Sequence, residues 1–180
     1  MDLYRIVCDF ELGNIATEEL PSLIVDCLAD NTPESLFVLA GLRSEQYNYF
    51  EVMRYYNKAL DDLRVTKPSK YQAALYSALC ISKDLINKNI MPEKYLSSIM
   101  ESIYRKTWND FTSEKYVGDY LGLQRIIGTY YEIDDLKNEL VHLRKDIDRK
   151  EEIEKEYLSC YELAEEYIKE NERKLTIAST

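Results

Sequence analysis

The sequence predicts an all-α protein: a single-domain multi-helix bundle that closes on a long C-terminal helix. Three observations predict it. Five Gly and four Pro in 180 residues are too few for a protein rich in strands and tight turns. Apolar residues recur three and four apart in successive segments, several of them preceded by a residue able to cap a helix. Nothing from Thr129 to Thr180 is Gly or Pro, and within that stretch Ile133, Leu136, Leu140, Leu143 and Ile147 are spaced three, four, three and four apart. Such spacing puts five aliphatic side chains on one stripe of a helix, a seam that must lie against something.

The elements follow in order. Asp2 can cap a helix in which Leu3, Val7 and Phe10 share a face and which Gly13 ends, although the alternation at Tyr4, Ile6, Cys8 and Phe10 also fits a strand. Thr17 opens a second helix, with Glu18 and Glu19 near its positive end, Pro21 in or just after its first turn, and Leu20, Leu23, Ile24, Cys27 and Leu28 as its inner stripe before Asn31. Thr32 then caps a short helix with Pro33 in its first position and Gly41 at its end. The fourth helix starts near Ser44 or Asn48, which forms a capping-box pattern with Glu51, and runs through Phe50, Met53, Tyr56 and Leu60 to about Leu63. A fifth follows Thr66 and Pro68 and reaches Asn87, and a sixth begins at Pro92 with Leu96, Ile99, Met100 and Ile103 inward.

Between Trp108 and Gly128 three glycines interrupt the pattern, which predicts one or two short helices and either a ligand-facing segment or a tight helix crossing. After Gly128 the helix should run to roughly Lys169, yet Asp148 to Glu152 are all charged and break the seam. Either one long helix changes its facing side there or the chain returns as a helical hairpin. The lack of Gly and Pro favours the continuous helix. Apolar positions resume at Ile153, Tyr157, Cys160 or Tyr161, Ala164 and Ile168. The expected organisation is one helical domain over 1–170, with 1–128 as core and 129–170 as the long helix or hairpin, followed by a frayed tail over 171–180.

Charge is unevenly spread. Residues 1–66 carry 12 acidic and 5 basic side chains, 67–131 carry 6 and 9, and 132–180 carry 15 and 9. A net −10 repels nucleic-acid backbone and anionic membranes and speeds association with a basic protein, although acidic surfaces also simply keep proteins soluble. No basic stretch precedes an apolar run at the start and no uncharged span approaches the length of a membrane helix, so the expected location is cytoplasmic. Cys8, Cys27, Cys80 and Cys160 lie far apart among apolar residues, as reduced buried thiols rather than a disulfide frame or metal site.

Chemistry-bearing motifs are scarce. A Ser or Cys nucleophile needs a positioned base, and the single histidine, His142, lies on the charged seam helix. No Cys/His cluster has zinc spacing and no glycine-rich phosphate loop occurs. Adjacent carboxylates such as Asp61 and Asp62 point to different helix faces and cannot act as a pair. The mix of Lys106, Trp108, Lys115, Tyr116, Tyr120 and Arg125 resembles a base-stacking platform, but in a strongly acidic chain aromatics at helical spacing read better as core. Catalytic residues, cofactors, metals and nucleic acid are therefore not expected.

A resemblance adds to this. From Leu20 to about Ile99, and above all in ESLFVLAGL at 34–42, EVMRYYNKALDDL at 51–63 and INKNIMPEKY at 86–95, the chain resembles a widespread group of small, uncharacterised bacterial helical proteins that carry a Ser-Leu-x-x-Leu-Ala-Gly-Leu segment. It departs from them at Asn31, where such proteins usually have Gly. The resemblance implies an all-helical bacterial protein with no catalytic residues to carry over, and some members sit in settings of toxin and immunity.

Two functional readings result. The first is a non-enzymatic binding module, an immunity or inhibitor protein that masks a basic partner with acidic helices, for which Asp134, Asp135, Glu139, Asp146, Glu151, Glu152, Glu154 and Glu156 are the candidate contact residues. The second is a helical adaptor or scaffold that homodimerises through residues 133–168. A small-molecule pocket lined by Tyr116, Tyr120, Tyr130 and Tyr131 is a third use of the same region. Because five aliphatics are costly to leave in water, at roughly 1.5–3 kcal/mol each, residues 133–147 are expected to pack onto the helices at 49–63 and 70–87, with the acidic far face left for a partner.

Overall fold

The structure is a computed structural model, and it describes residues 2–29, 32–42, 48–108, 110, 121–138 and 148–178, with side chains as far as Glu172. Every regular element among the described residues is helical. Backbone packing divides the chain into two compact units, Met1–Ala74 and Leu75–Thr180.

In the first unit α1 spans Leu3–Glu11, and Asp2 caps it by accepting from the Tyr4 N–H at 3.3 Å. The helical reading of this segment therefore holds over the strand. Gly13 follows in the left-handed region, with φ of 73°, a conformation that glycine adopts without steric cost. Helix α2 covers only Leu20–Val25. It starts three residues after Thr17, the Glu19 carboxylate turns back to accept from the Ala16 N–H at 2.7 Å, and Cys27 and Leu28 fall beyond its end. Helix α3 is Glu34–Gly41. Thr32 does not cap it; its hydroxyl accepts from the Ala29 N–H at 2.8 Å and donates to the Ala29 carbonyl at 2.6 Å. That local turn competes with helix for the same groups.

Helix α4, Tyr49–Asp62, is capped as expected by Asn48, whose side chain accepts from Phe50 and Glu51. Ile6, Val7, Leu20, Ile24, Leu39, Val52 and Tyr56 form the core of this unit. The Phe10 and Tyr56 rings meet edge to face at 4.9 Å, and the Tyr56 hydroxyl donates to Glu11 Oε1 at 3.1 Å. Lys67 Nζ lies 3.0 Å from the same oxygen. Helix α5, Lys70–Ile86, begins with a reciprocal cap: the Ser69 N–H donates to Gln72 Oε1 at 2.9 Å and the Gln72 N–H to Ser69 Oγ at 3.3 Å.

The second unit holds most of α5 and all that follows. Helix α6, Pro92–Ser98, widens into a π-helical turn over Ile99–Tyr104 and ends as α7, Arg105–Thr107. Leu96, Ile99, Met100 and Ile103 are buried, as their spacing predicts. Helix α8 is Gln124–Lys137 and α9 is Arg149–Ala178. The stretch after Gly128 is thus not one continuous helix: α8 ends with the Asn138 N–H bonded to the Asp134 carbonyl, and α9 packs back along it. Arg125 near the start of α8 pairs with Glu166, while Lys137 at its end reaches the Tyr157 ring, so the two run antiparallel. Among the described residues α8 packs against α6 and α9.

Within the seam, Ile133 is buried and Leu136 half-buried; Leu140, Leu143 and Ile147 lie outside the described residues, as does His142. The buried stripe of α9 is Cys160, Leu163, Ala164, Tyr167 and Asn171, whereas Ile153, Tyr157, Tyr161 and Ile168 are only half-buried. Helix α9 continues past Asn171, whose side-chain amide donates to the Tyr167 carbonyl at 2.9 Å. At the next position Glu172 pairs with Lys83 of α5 at 2.7 Å.

Candidate functional site

The candidate site lies where the start of α6 meets the α8–α9 hairpin. Met91 precedes the helix in extended conformation and Pro92 opens it, where a missing N–H costs no hydrogen bond. This brings Glu93 to the end of α8, and Lys137 Nζ donates to Glu93 Oε1 at 2.7 Å. The same ammonium lies 5.6 Å from the centroid of the Tyr157 ring on α9. One ammonium group thereby links three helices.

The electrostatics of this knot are those of a fixed ion pair. The hydrogen bond to Glu93, with a further one to Tyr157, pushes Lys137 up to about 12. The Lys137 ammonium in turn holds the Glu93 carboxyl below its ordinary range. At neutral pH Lys137 is a cation and Glu93 an anion, and neither is poised to carry a proton. Their side chains are 43% and 70% exposed, so water screens the pair and its net contribution is about 0–1 kcal/mol.

Two clefts flank the knot and share Glu93 and Tyr157 as walls. The smaller, about 190 Å³, is closed by Leu96, Tyr130, Ile133 and Asp134. The larger, about 470 Å³, is lined by Met91, Pro92, Glu154, Tyr157, Leu158 and Tyr161. Its rim is unusual, because Met91 is 71% and Leu158 69% exposed, values at which the fold gains little from either side chain. A third cleft of about 360 Å³ runs between α8 and α9 and carries Arg125, Glu132, Glu156 and Glu162. Burial first, and then the Glu132 carboxylate, raises the Glu156 carboxyl, with Glu152 acting in the same direction.

The candidate contact residues divide among these features. Asp134, Asp135, Glu151 and Glu154 are exposed, and Glu152 and Glu156 are half-buried. Glu152 lies 3.6 Å from Lys155. Glu139 and Asp146 lie outside the described residues. Of the proposed tyrosine pocket, Tyr130 and Tyr131 stand edge to face at 5.5 Å, and Tyr130 alone borders the smaller cleft; Tyr116 and Tyr120 lie outside the described residues, as does Lys115. Among the described residues no group of three or more His, Cys, Asp or Glu is placed to hold a metal, and no helix is long and apolar enough to cross a membrane.

Sequence reasoning missed Met91, Glu93, Lys137, Leu158 and Tyr161. One signal was available: Leu158 lies off the inner stripe of α9 and among charged neighbours, where an aliphatic has no reason to be buried. Compared with known proteins, the chain matches no family model, no curated protein and no solved structure.

Proposed function

We propose that this chain is a non-enzymatic protein-binding module of the immunity or inhibitor type, which masks a basic partner with the acidic helices of its C-terminal hairpin. The observation that carries the reading is an exposed strip on α9. Glu151, Glu154, Glu162 and Glu165 are all exposed, and their spacing places them along one side of the helix on either side of Leu158. Within 149–172 there are nine acidic and four basic side chains. Two of those bases belong to the first turn, and a third, Lys155, lies beside Glu152. A face so charged attracts a basic protein and orients it during approach.

The test is capture from a lysate of the source cell at low salt, with the chain compared against a Glu151→Gln, Glu154→Gln, Glu162→Gln, Glu165→Gln variant. Basic proteins should be retained by the natural chain, released as the screening length contracts from about 10 Å at 0.1 M salt to about 3 Å at 1 M, and lost in the variant. Retention of neutral or acidic proteins, unchanged by the four substitutions, would refute the proposal.

The second reading, an adaptor that homodimerises through residues 133–168, draws support from the exposure of Leu158 within that span. Sedimentation of the purified chain decides it: a 21.2 kDa species at all concentrations refutes the dimer.

A further inference from the structure

We infer that the cleft bounded by Met91, Pro92, Leu158 and Tyr161 receives an apolar anchor from a basic amphipathic helix of the partner. The inference deepens the proposed function and rests on it, since it names the kind of segment that the acidic strip binds.

The argument starts from the two exposed side chains. Met91 is the extended residue just before α6 and Leu158 belongs to α9, yet both line the same cleft of about 470 Å³. Met91 is 71% and Leu158 69% exposed. Pro92, Tyr157 and Tyr161 complete the apolar part of the lining, the tyrosines adding hydroxyls, and Glu93 and Glu154 supply carboxylates to the same cleft. Methionine beside such a cleft adapts its shape to an incoming side chain at little cost.

Charge selects the occupant. Along α9, Glu151 and Glu154 precede Leu158, and Glu162 and Glu165 follow it, at separations of three and four residues that keep all of them on one side. The strip is about 21 Å long, fourteen rises of 1.5 Å from Glu151 to Glu165. The base closest in sequence to Leu158 is Lys155, which lies 3.6 Å from Glu152, and Glu93 at the cleft is bonded to Lys137. The matching ligand therefore has one apolar residue at its centre and lysines or arginines one to two turns away on both sides. A helix of about four turns presents that pattern on a single face and matches the strip in length. An acidic or neutral helix would set carboxylates against carboxylates or leave the strip unanswered.

The experiment uses the full chain and two labelled synthetic peptides of eighteen residues. One is an amphipathic Leu/Lys helix. The other carries the same lysines with Ser in place of every Leu. Fluorescence anisotropy is read for the natural chain, for Leu158→Ser, for Met91→Ser and for the four-Gln variant, each checked for unchanged helicity by circular dichroism. The expected result is at least tenfold tighter binding of the Leu/Lys peptide than of the Ser/Lys peptide, with that preference lost in both Leu158→Ser and Met91→Ser. Salt-sensitive binding of the Ser/Lys peptide should survive in both of those variants and fall in the four-Gln variant.

Equal binding of the two peptides, or a preference untouched by Leu158→Ser and Met91→Ser, overturns the anchor while leaving the acidic-face reading in place. Absence of any binding at low salt overturns both. A dimer in sedimentation that Leu158→Ser converts to monomer would identify a second copy as the occupant and overturn the inference in that direction. Protection of the cleft by a segment of the same chain would show as Leu158→Ser strengthening the binding of either peptide, which also overturns it.

Discussion

A buried hydroxyl pair makes a quantitative test of how α5 and α6 are joined. Tyr95 on α6 and Ser82 on α5 are both 0% exposed, and their oxygens are 3.4 Å apart. The single Ser82 hydroxyl proton is directed at the Ala78 carbonyl at 2.9 Å, which leaves Tyr95 as the donor of the pair. The two truncations are therefore unequal. Tyr95→Phe removes the donor but leaves Ser82 bonded to Ala78, and at this long separation it should cost about 0.5–1 kcal/mol. Ser82→Ala leaves the tyrosine O–H buried without its acceptor, and should cost about 1–2 kcal/mol, the lower half of the range for an orphaned buried group. In the double variant nothing is orphaned, so the costs should fall short of additivity by roughly 0.5–1 kcal/mol. Urea unfolding followed by Trp108 fluorescence is a suitable assay, because the chain's one tryptophan lies in the same unit as both residues. Unchanged slopes with shifted midpoints would license the comparison. Additive costs, or Tyr95→Phe being the more damaging substitution, would refute the assignment of donor and acceptor.

Zero-length carbodiimide cross-linking should join Lys137 to Glu93, Lys83 to Glu172 and Lys67 to Glu11, whose charged atoms lie 2.7, 2.7 and 3.0 Å apart. Peptide mapping that lacked the first two links would refute the packing of α6 against α8 and of α5 against α9. A second expectation concerns alkaline pH. Burial, and then the Glu156 carboxylate, pushes the Cys160 thiol from an ordinary value near 9 up to about 12. Between those values the unfolded chain has lost the proton and the folded chain keeps it, so the unfolded state binds fewer protons and stability falls as pH rises. The contribution is complete below about 9 and disappears through 12. Urea midpoints measured from pH 7 to 11 should decline above 9, and Cys160→Ala should flatten that decline; an equal slope in both proteins would refute the role of the thiol.

Helix caps made much of this fold legible, because they depend on neighbours in sequence. Asp2 and Asn48 act as their positions predict. Thr32 misled because one hydroxyl serves only one turn, and here the preceding Ala29 takes it. The Ser69 and Gln72 exchange has the form of a capping box and was readable, yet Thr66 and Pro68 ahead of it drew the expected start to themselves. The break between α8 and α9 was not readable from Gly and Pro. Asn138 closes α8 with φ of −89°, outside the left-handed region, so the end of the helix at that residue does not call for glycine. The π-helical turn at Ile99–Tyr104 left no trace either, since the residues it buries are also those of an α-helical stripe. Of the candidate site, the acids were legible as composition. The Lys137 and Glu93 contact, 44 positions apart in sequence, depends on tertiary packing and could not be.

The two sides of α9 answer different demands, and this separates stability from recognition. Cys160, Leu163, Ala164 and Tyr167 are buried, and their small members at 160 and 164, one turn apart, let the helix approach its neighbours closely. Truncating Leu163, at 6% exposure, falls in the class of buried leucine losses that cost about 2–5 kcal/mol. Five residues earlier, Leu158 at 69% exposure supports almost none of that packing, so its replacement by Ser should stay within about 0.5 kcal/mol. An aliphatic side chain that the fold does not use, set at the mouth of an apolar cleft and between two pairs of glutamates, is a feature of the surface. On the proposed inhibitor reading, the exposed strip is free to change with a partner while the buried stripe keeps the helix in place.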